Sequence, residues 1–279
     1  MIPIAFFLLS AKSIAGRNCS SSVTTIVQPH QRAAAIFYPI SQPLVFASMP
    51  KRNSSNAAKS TKKPKKDHND VDKWYTDFMK KDPLYADYLT NEWGFEKRSE
   101  HELFENLSLE GAQCGLSWRT ILRKREAYRQ AYHGFDIDKV ASMTTIDVDE
   151  ILSQTSKDTT KVVVRNRGKV ESVIHNAKLI QELKSSGTIP SLSEFLWSFV
   201  DNKPILNRFQ TFNDMPSKTE ESELMSKALK KHGFKYGGPT TMYAMMQSCG
   251  LVVDHLVGSK HWADAEERLK SRVGGYQIR

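Results

Sequence analysis

The sequence predicts an all-α domain behind a basic, disordered leader. Apolar residues recur at spacings of three and four from Trp74 onward, as one buried face of a helix requires. No convincing alternating run appears, "KVVV" at 161–164 being the one short β-branched stretch. Residues 1–66 contain no Asp or Glu, are rich in Ser and carry scattered Lys and Arg.

In chain order, "HELFENLSLEGAQ" supplies the first clear stripe through Leu103, Phe104 and Leu107. "RNRGK" at 165–169 opens a second, with Val170, Val173 and Ile174. Leu192, Phe195, Leu196 and Phe199 form a third, and Leu224, Ala228 and Leu229 a fourth. Ser222 is the expected cap of "SELMSKALKKH", with Gly233 to close it. After "FKYGG", Pro239 takes a first-turn position ahead of "TTMYAMMQSC", and Gly250 ends that helix. Beyond Trp262 the run "ADAEERLKSRVGGYQIR" reads as a short helix followed by a loose end. No internal repeat is found at any useful period.

The 279 residues, 39% hydrophobic and 25% charged, suit an ordinary globular core. The net charge of +9 does not belong to that core. Ten Lys and Arg against three acids lie in the first 72 residues, leaving 30 basic and 28 acidic residues for the rest, about +2. Binding to nucleic acid must therefore rest on local patches. Cys19, Cys114 and Cys249 show no paired spacing, which argues against a disulfide framework and fits a reducing compartment. No stretch reaches the roughly 18 apolar residues that cross a bilayer, the longest candidate being "IPIAFFLL", so no membrane partner is expected.

Four parts follow from composition. Residues 1–48 read as a transit segment, with a secretory signal or untargeted disorder as alternatives. Residues 49–72, opening "MPKRNSSNAAKSTKKPKK", read as a nuclear-localisation run or a solvated basic linker. Residues 73–262 form the folded domain, and 263–279 a polar tail. The expected location is a mitochondrion or other organelle, the nucleus, or both.

Three patterns point to chemistry. Leu103, Leu107, Glu110, Cys114 and Trp118 follow at spacings of four, three, four and four, placing Glu110 on an apolar stripe. Such a carboxyl is desolvated and its pKa rises, unless Gly111 and Gly115 end the helix and let it swing out to water. Gly237 and Gly238 expose backbone N–H groups ahead of Pro239 and Thr240, a phosphate site beside Lys235 or an ordinary glycine turn. "RNRGK" is a phosphate contact or a solvated turn.

The chain from Trp74 to His255 resembles the DNA-3-methyladenine glycosylase I family. The matching runs are "DPLYADYLTNEWG", "LFENLSLEGAQCGLSWRTILRKREAYRQAYHGFD", "VVVRNRGKVESVIHNA", "LWSFVDNKP" and "SKALKKHGFKYGGPTTMYAMMQSCGLVVDH". The resemblance implies a helix-hairpin-helix DNA glycosylase fold with Gly237, Gly238 and Thr240 on the phosphate-binding hairpin, beside Lys235. It implies that Glu110 and Trp118, with Tyr85 and Tyr88, hold the extruded base. It further implies monofunctional hydrolysis of 3-methyladenine, no cofactor, double-stranded DNA containing an alkylated purine as partner, and a monomer. The rival reading is a catalytically inactive binder of damaged or bent DNA on the same fold.

Departures from the family are specific. Where bacterial members place four zinc ligands, this chain has Thr76, Leu89, His255 and Ser259, so a core without zinc is expected and no metal residue is assigned. Phe78 stands where the family has an early tryptophan, and the chain is longer around 153–161. Val253 takes the place where related glycosylases often have a catalytic Asp, with Asp254 one position away, and no catalytic Asp is assigned.

Overall fold

The computed structural model of the protein describes residues 80–279. The expectations for the leader, for the basic run after Met49, and for Thr76 and Phe78 lie outside the described residues. Among the described residues there are ten α-helices: α1 Pro83–Asn91, α2 Glu100–Gln113, α3 Trp118–Ala131, α4 Ile137–Ser142, α5 Thr145–Ser153, α6 Arg167–Ser185, α7 Leu192–Trp197, α8 Glu220–Lys231, α9 Pro239–Ser248 and α10 Lys260–Lys270.

Local chemistry sets most boundaries. Asp82 caps α1, accepting from the Tyr85 N–H at 3.3 Å, and Pro83 fills the first position, so "DPLY" is a helix start. Ser117 caps α3 through the Thr120 N–H, and Asn166 caps α6 through the Lys169 N–H. Gly115, at φ +77°, takes the left-handed turn after α2 that a residue with a Cβ adopts at a cost. Gly111 does not end that helix but lies within it. The start of α8 also differs from expectation: Thr219 is the cap, and Ser222 sits three residues later in a reciprocal capping box with it.

The helices enclose one main core in which Trp197, Tyr132, Tyr243, Phe104 and Phe135 are fully buried. Helix α2 runs through it and touches α3, α6, α7 and α9, while α8 and α9 pack as a hairpin. Among the described residues the helical architecture is interrupted by two-residue strands β1 Ile205–Leu206, β2 Val252–Val253 and β3 Gln277–Ile278, paired in parallel in the order β2-β1-β3. "KVVV" is not among them: a short 3-10 turn covers Thr159–Lys161, and Val163 goes into the core. The chain end is not loose, since Gln277 and Ile278 pair with Ile205 and Leu206. Arg279 pairs with Glu221 there.

A buried carboxylate ties the helical and strand parts together. Asp254 accepts from Asn207 Nδ2 at 2.6 Å, Tyr243 hydroxyl at 2.5 Å and Gln247 Nε2 at 2.7 Å. Its neighbours thus come from the residue after β1 and from α9. Desolvation holds its pKa above the usual carboxylate value despite these three donors.

The tightest backbone approach is at Gly250, after α9. A Cβ there would meet the Phe95 carbonyl carbon at 2.4 Å and the Glu96 nitrogen at 2.6 Å, and φ is +71°. The segment pressed against it is fixed by Gly94 N–H to Gln247 O and Lys97 N–H to Cys249 O, both 3.0 Å. Gly250→Ala is expected to destabilise the fold by about 3 kcal/mol or more, through backbone displacement together with an unfavourable φ. Urea unfolding of the variant beside the parent checks this, and a loss under about 1 kcal/mol would contradict it.

Candidate active site

Glu110 lies in the last turn of α2 and is 3% exposed, so the carboxyl has not swung out to water. Its Oε2 has no hydrogen-bond partner. Burial raises its pKa to about 8, against a smaller opposing effect of Lys97. The stripe that predicted this burial is broken between Gln113 and Trp118, yet Trp118 is brought back beside the site as the first residue of α3.

Three aromatic rings stand with this carboxyl. Tyr85 and Tyr88 project from α1 with ring centroids 6.0 Å apart, and Tyr88 meets Trp118 at 5.4 Å and 46°. The Tyr88 hydroxyl is held well above its usual pKa by burial first and by the Glu110 charge next. Like Glu110 Oε2, the Tyr88 hydroxyl and the Trp118 indole N–H are buried without a hydrogen-bond partner. Orphaned groups of this kind cost stability unless a ligand satisfies them.

The rest of the aromatic run holds α1 in place. Asp82 is ion-paired with Arg119 at 2.5 Å, and Glu92 receives Arg125 through two bonds of 2.5 and 2.8 Å. Burial alone would raise the Glu92 carboxyl, but the Arg125 bonds carry it below its usual value. Both arginines belong to α3, so α1 is clamped onto the helix that carries Trp118. Trp93 meets the His255 ring edge-on at 4.8 Å.

The glycine hairpin lies against the same turn of α2. The Gly237 carbonyl accepts from Ser226 Oγ at 2.6 Å, and Gly238 is the first-turn cap of α9, with no side chain capping it. Asn176 holds Lys235 by both backbone groups, at 2.9 and 3.2 Å. Thr240 joins Glu110, Gln113 and Leu116 in lining a cleft of about 210 Å³. Lys235 is elsewhere, in a second cleft of about 470 Å³ with His175 and Tyr236. Of "RNRGK", Lys169 turns inward and donates to the carbonyls of Ala112 and Cys114 at 2.8 and 2.6 Å, capping α2. Arg167 pairs with Asp149 at 2.5 Å.

Comparison with known proteins places this arrangement. Residues 78–262 match the methyladenine glycosylase family model. The chain belongs to the methyladenine glycosylase family. It is 46% identical over 173 residues to a DNA-3-methyladenine glycosylase of Haemophilus influenzae, covering 62% of this chain and 89% of that one. It is 42% identical to DNA-3-methyladenine glycosylase 1 of Escherichia coli, covering 65% and 92%. A crystal structure of a 3-methyladenine DNA glycosylase I superposes with a TM-score of 0.60 at 42% identity, over 64% of this chain and 94% of that one. The Staphylococcus aureus enzyme, solved to show 3-methyladenine recognition, gives 0.60 at 34% identity, over 66% and 94%.

The zinc position of bacterial members of this family does not fit the donors present. Leu89 is apolar and buried, and the Ser259 hydroxyl is engaged, donating to the Leu256 carbonyl and accepting from the Trp262 N–H as the cap of α10. His255 remains, buried between Trp93 and His261, with its pKa pushed down to about 3 by burial first. Asp254, one position from the place of a catalytic acid, is surrounded by its three donors and lies deep in the core. Sequence reasoning did not find the Asp82–Arg119 and Glu92–Arg125 pairs, because partners 30 or more residues apart leave no local signature.

The raised Glu110 pKa fixes a pH dependence. In the unfolded chain this carboxyl ionises near its usual 4.5, whereas in the fold it keeps its proton to about 8. The folded state therefore binds the extra proton between these values, and stability falls as pH rises through that window. Glu110→Gln removes the effect, so its thermal midpoint should overtake the parent's progressively from about pH 4.5 to 8 and by a constant margin, on the order of ten degrees, above. Differential scanning fluorimetry across pH checks it; parallel curves would show that Glu110 is not desolvated.

Proposed function

We propose that the protein extracts 3-methyladenine from the DNA duplex and hydrolyses its N-glycosidic bond, as a monomer, with the base held among Tyr85, Tyr88, Glu110 and Trp118. The observation that carries this reading is the grouping of three unsatisfied buried groups, Glu110 Oε2, Tyr88 hydroxyl and Trp118 N–H, beside tilted aromatic rings. A flipped purine offers a π face to the rings and polar edge atoms to the three groups. The family membership and the DNA-3-methyladenine glycosylases it resembles support the same substrate.

The chemistry asks little of the side chains. A purine methylated at N3 carries a positive charge, so its bond to the sugar is weak and the base leaves without being protonated. Water adds to the sugar carbon as the bond to nitrogen breaks; the bonding pair leaves with the base, which becomes neutral, and the water's proton passes to solvent. Glu110 is mostly protonated near neutrality until a cation arrives. The cationic base then stabilises the carboxylate, and the carboxylate accepts from the exocyclic amine in a charge-assisted hydrogen bond. The rings add cation–π attraction of about 0.5–2 kcal/mol. Neutral adenine supplies no charge to offset ionising Glu110, and this difference is the basis of selection. Backbone N–H groups at Gly238 and Thr240 and the Lys235 ammonium are assigned to DNA phosphates on the hairpin.

Trp118→Ala removes a stacking face of about 1–3 kcal/mol and should weaken binding of free 3-methyladenine and of alkylated DNA alike. Glu110→Gln should lower single-turnover release of 3-methyladenine by about tenfold to a hundredfold without loss of stability. Near-parental excision by Glu110→Gln would reject the pocket. Binding of alkylated DNA with no base released by the parent protein would favour a damage binder instead.

The acid-free leader and the Lys-rich run after Met49 support two destinations, an organelle for the chain from Met1 and the nucleus for the chain from Met49. Fluorescent fusions of the two chains should then differ in location; identical distributions would reject this.

A further inference from the structure

We infer that Lys169 is a positioning residue for base capture: its ammonium, hydrogen-bonded to the carbonyls of Ala112 and Cys114, pins the turn between α2 and α3 and so fixes the spacing of Glu110 and Trp118. The inference rests on the proposed role of those two residues in holding the base and extends it to a side chain outside the base pocket.

Glu110 and Trp118 do not share a helix. Glu110 is in the last turn of α2, Trp118 opens α3, and residues 114–117 join the two helices. One base has to satisfy Glu110 Oε2 and the Trp118 indole N–H together, both of them buried without a partner. The spacing of the two groups is set by the turn between them, so whatever holds that turn holds the pocket.

The carbonyls around the end of α2 show what holds it. The last four carbonyls of a helix have no ordinary partner within it. Here the Gly111 carbonyl accepts from the Cys114 N–H at 3.3 Å and the Gln113 carbonyl from the Leu116 N–H at 2.6 Å, both closing inside the turn. The Glu110 carbonyl has the Cys114 thiol at 3.9 Å, a weak donor. That leaves the Ala112 carbonyl, and beyond the helix the Cys114 carbonyl. Lys169 Nζ donates to both, at 2.8 and 2.6 Å. These two bonds tie the turn to α6, and a cation at the negative end of a helix strengthens them. Across the cleft, the contact of Cys114 Sγ with Thr241 Oγ1 at 3.7 Å involves a thiol and is weaker.

Lys169 is itself anchored. In the first turn of α6 its N–H donates to the cap residue Asn166 at 3.1 Å, and its carbonyl accepts from Ser172 Oγ at 2.7 Å. The side chain is half-buried. A lysine that serves a DNA phosphate keeps its ammonium free, whereas Lys169 directs two of its three N–H groups into the protein. Gln113, Cys114, Gly115 and Leu116, the residues it steadies, line one cleft with Glu110.

The test compares the parent with Lys169→Met, Lys169→Gln, Lys169→Arg and Ser259→Ala in three measurements: affinity for free 3-methyladenine by tryptophan fluorescence, single-turnover release of the base from alkylated DNA, and affinity for undamaged duplex as a function of salt. In the two neutral variants free-base binding and excision should each fall by about tenfold, as expected when paired contacts are displaced by less than an ångström, while duplex affinity and its salt slope stay parental. Lys169→Arg keeps a cation with donors and should lose less than about threefold. Ser259→Ala removes the cap of α10, lowers the thermal midpoint and should leave free-base affinity parental. Parental base binding in the neutral variants overturns the inference, as does an equal loss in Lys169→Arg or in Ser259→Ala. A weaker duplex affinity with a salt slope reduced by about one also overturns it, by assigning Lys169 to a phosphate. If Glu110→Gln and Trp118→Ala lose free-base binding while the Lys169 variants keep it, only the role of Lys169 falls. If those two variants bind the free base as the parent does, the pocket falls and the role of Lys169 with it.

Discussion

One desolvated carboxyl constrains the rest of this molecule. Glu110 is placed in a core of aromatic and aliphatic side chains with an oxygen that nothing in the protein satisfies. An unpaired acid in such a place is tolerated only where the surrounding framework leaves it no way out. Helix α2 is accordingly held at its C-terminal end and along its length. Lys169 caps its last carbonyls, Gly115 turns the chain sharply away, and α3, α6, α7 and α9 pack around it. Under the proposed function, the cost of the empty pocket is the free energy that a cationic base would recover, which would place selectivity in the protein before any DNA is met.

The hairpin and the base pocket are mechanically one body. Tyr236, left-handed at φ +57°, lies between two glycines: a Cβ on Gly111 would come within 3.2 Å of its Cβ, and one on Gly168 within 3.3 Å of its hydroxyl. Gly111 directly follows Glu110, and Gly168 is in the first turn of α6. Close approach of the hairpin is thus the reason for the glycine after Glu110. A shift of the hairpin of a few tenths of an ångström would be felt at the turn that aims the carboxyl. Under the proposed function, contact of the hairpin with a DNA phosphate and capture of a base at Glu110 would be coupled through this packing.

How much of this was legible in the sequence differs by element. The start of α9 was readable because Gly238 and Pro239 act within one turn of themselves. The cap of α8 was misassigned to Ser222 because Thr219 and Ser222 are both good caps and only the backbone shows which one leads. The three strands were invisible: each is two residues long, too short for alternation to register, and their partners are 47 and 72 residues away. The fate of Glu110 was open because a helix stripe says which residues share a face, not what covers that face. Long-range packing by α1 and α9 decided it. The role of Gly111 was misread for the same reason, since a glycine needed for close approach looks like a helix terminator until the approaching residue is known.

The far end of the domain shows how one constraint can be met by different chemistry. A metal closes a fold by joining distant ligands at one point, and its contribution depends on deprotonated donors and metal supply. Here the same region is held by distributed contacts. Ser259 caps α10, the Trp262 indole donates to the Asn207 carbonyl at 3.0 Å, and Arg268 both donates to the Gly94 carbonyl at 2.9 Å and lies 3.9 Å over the Phe95 ring. Arg272 makes a forked pair with Glu96 at 2.6 and 2.9 Å, and β3 adds the final strand. Several of these contacts fall on residues 94–96, immediately before Lys97. The C-terminal helix therefore steadies the segment that runs past Gly250 at the end of α9.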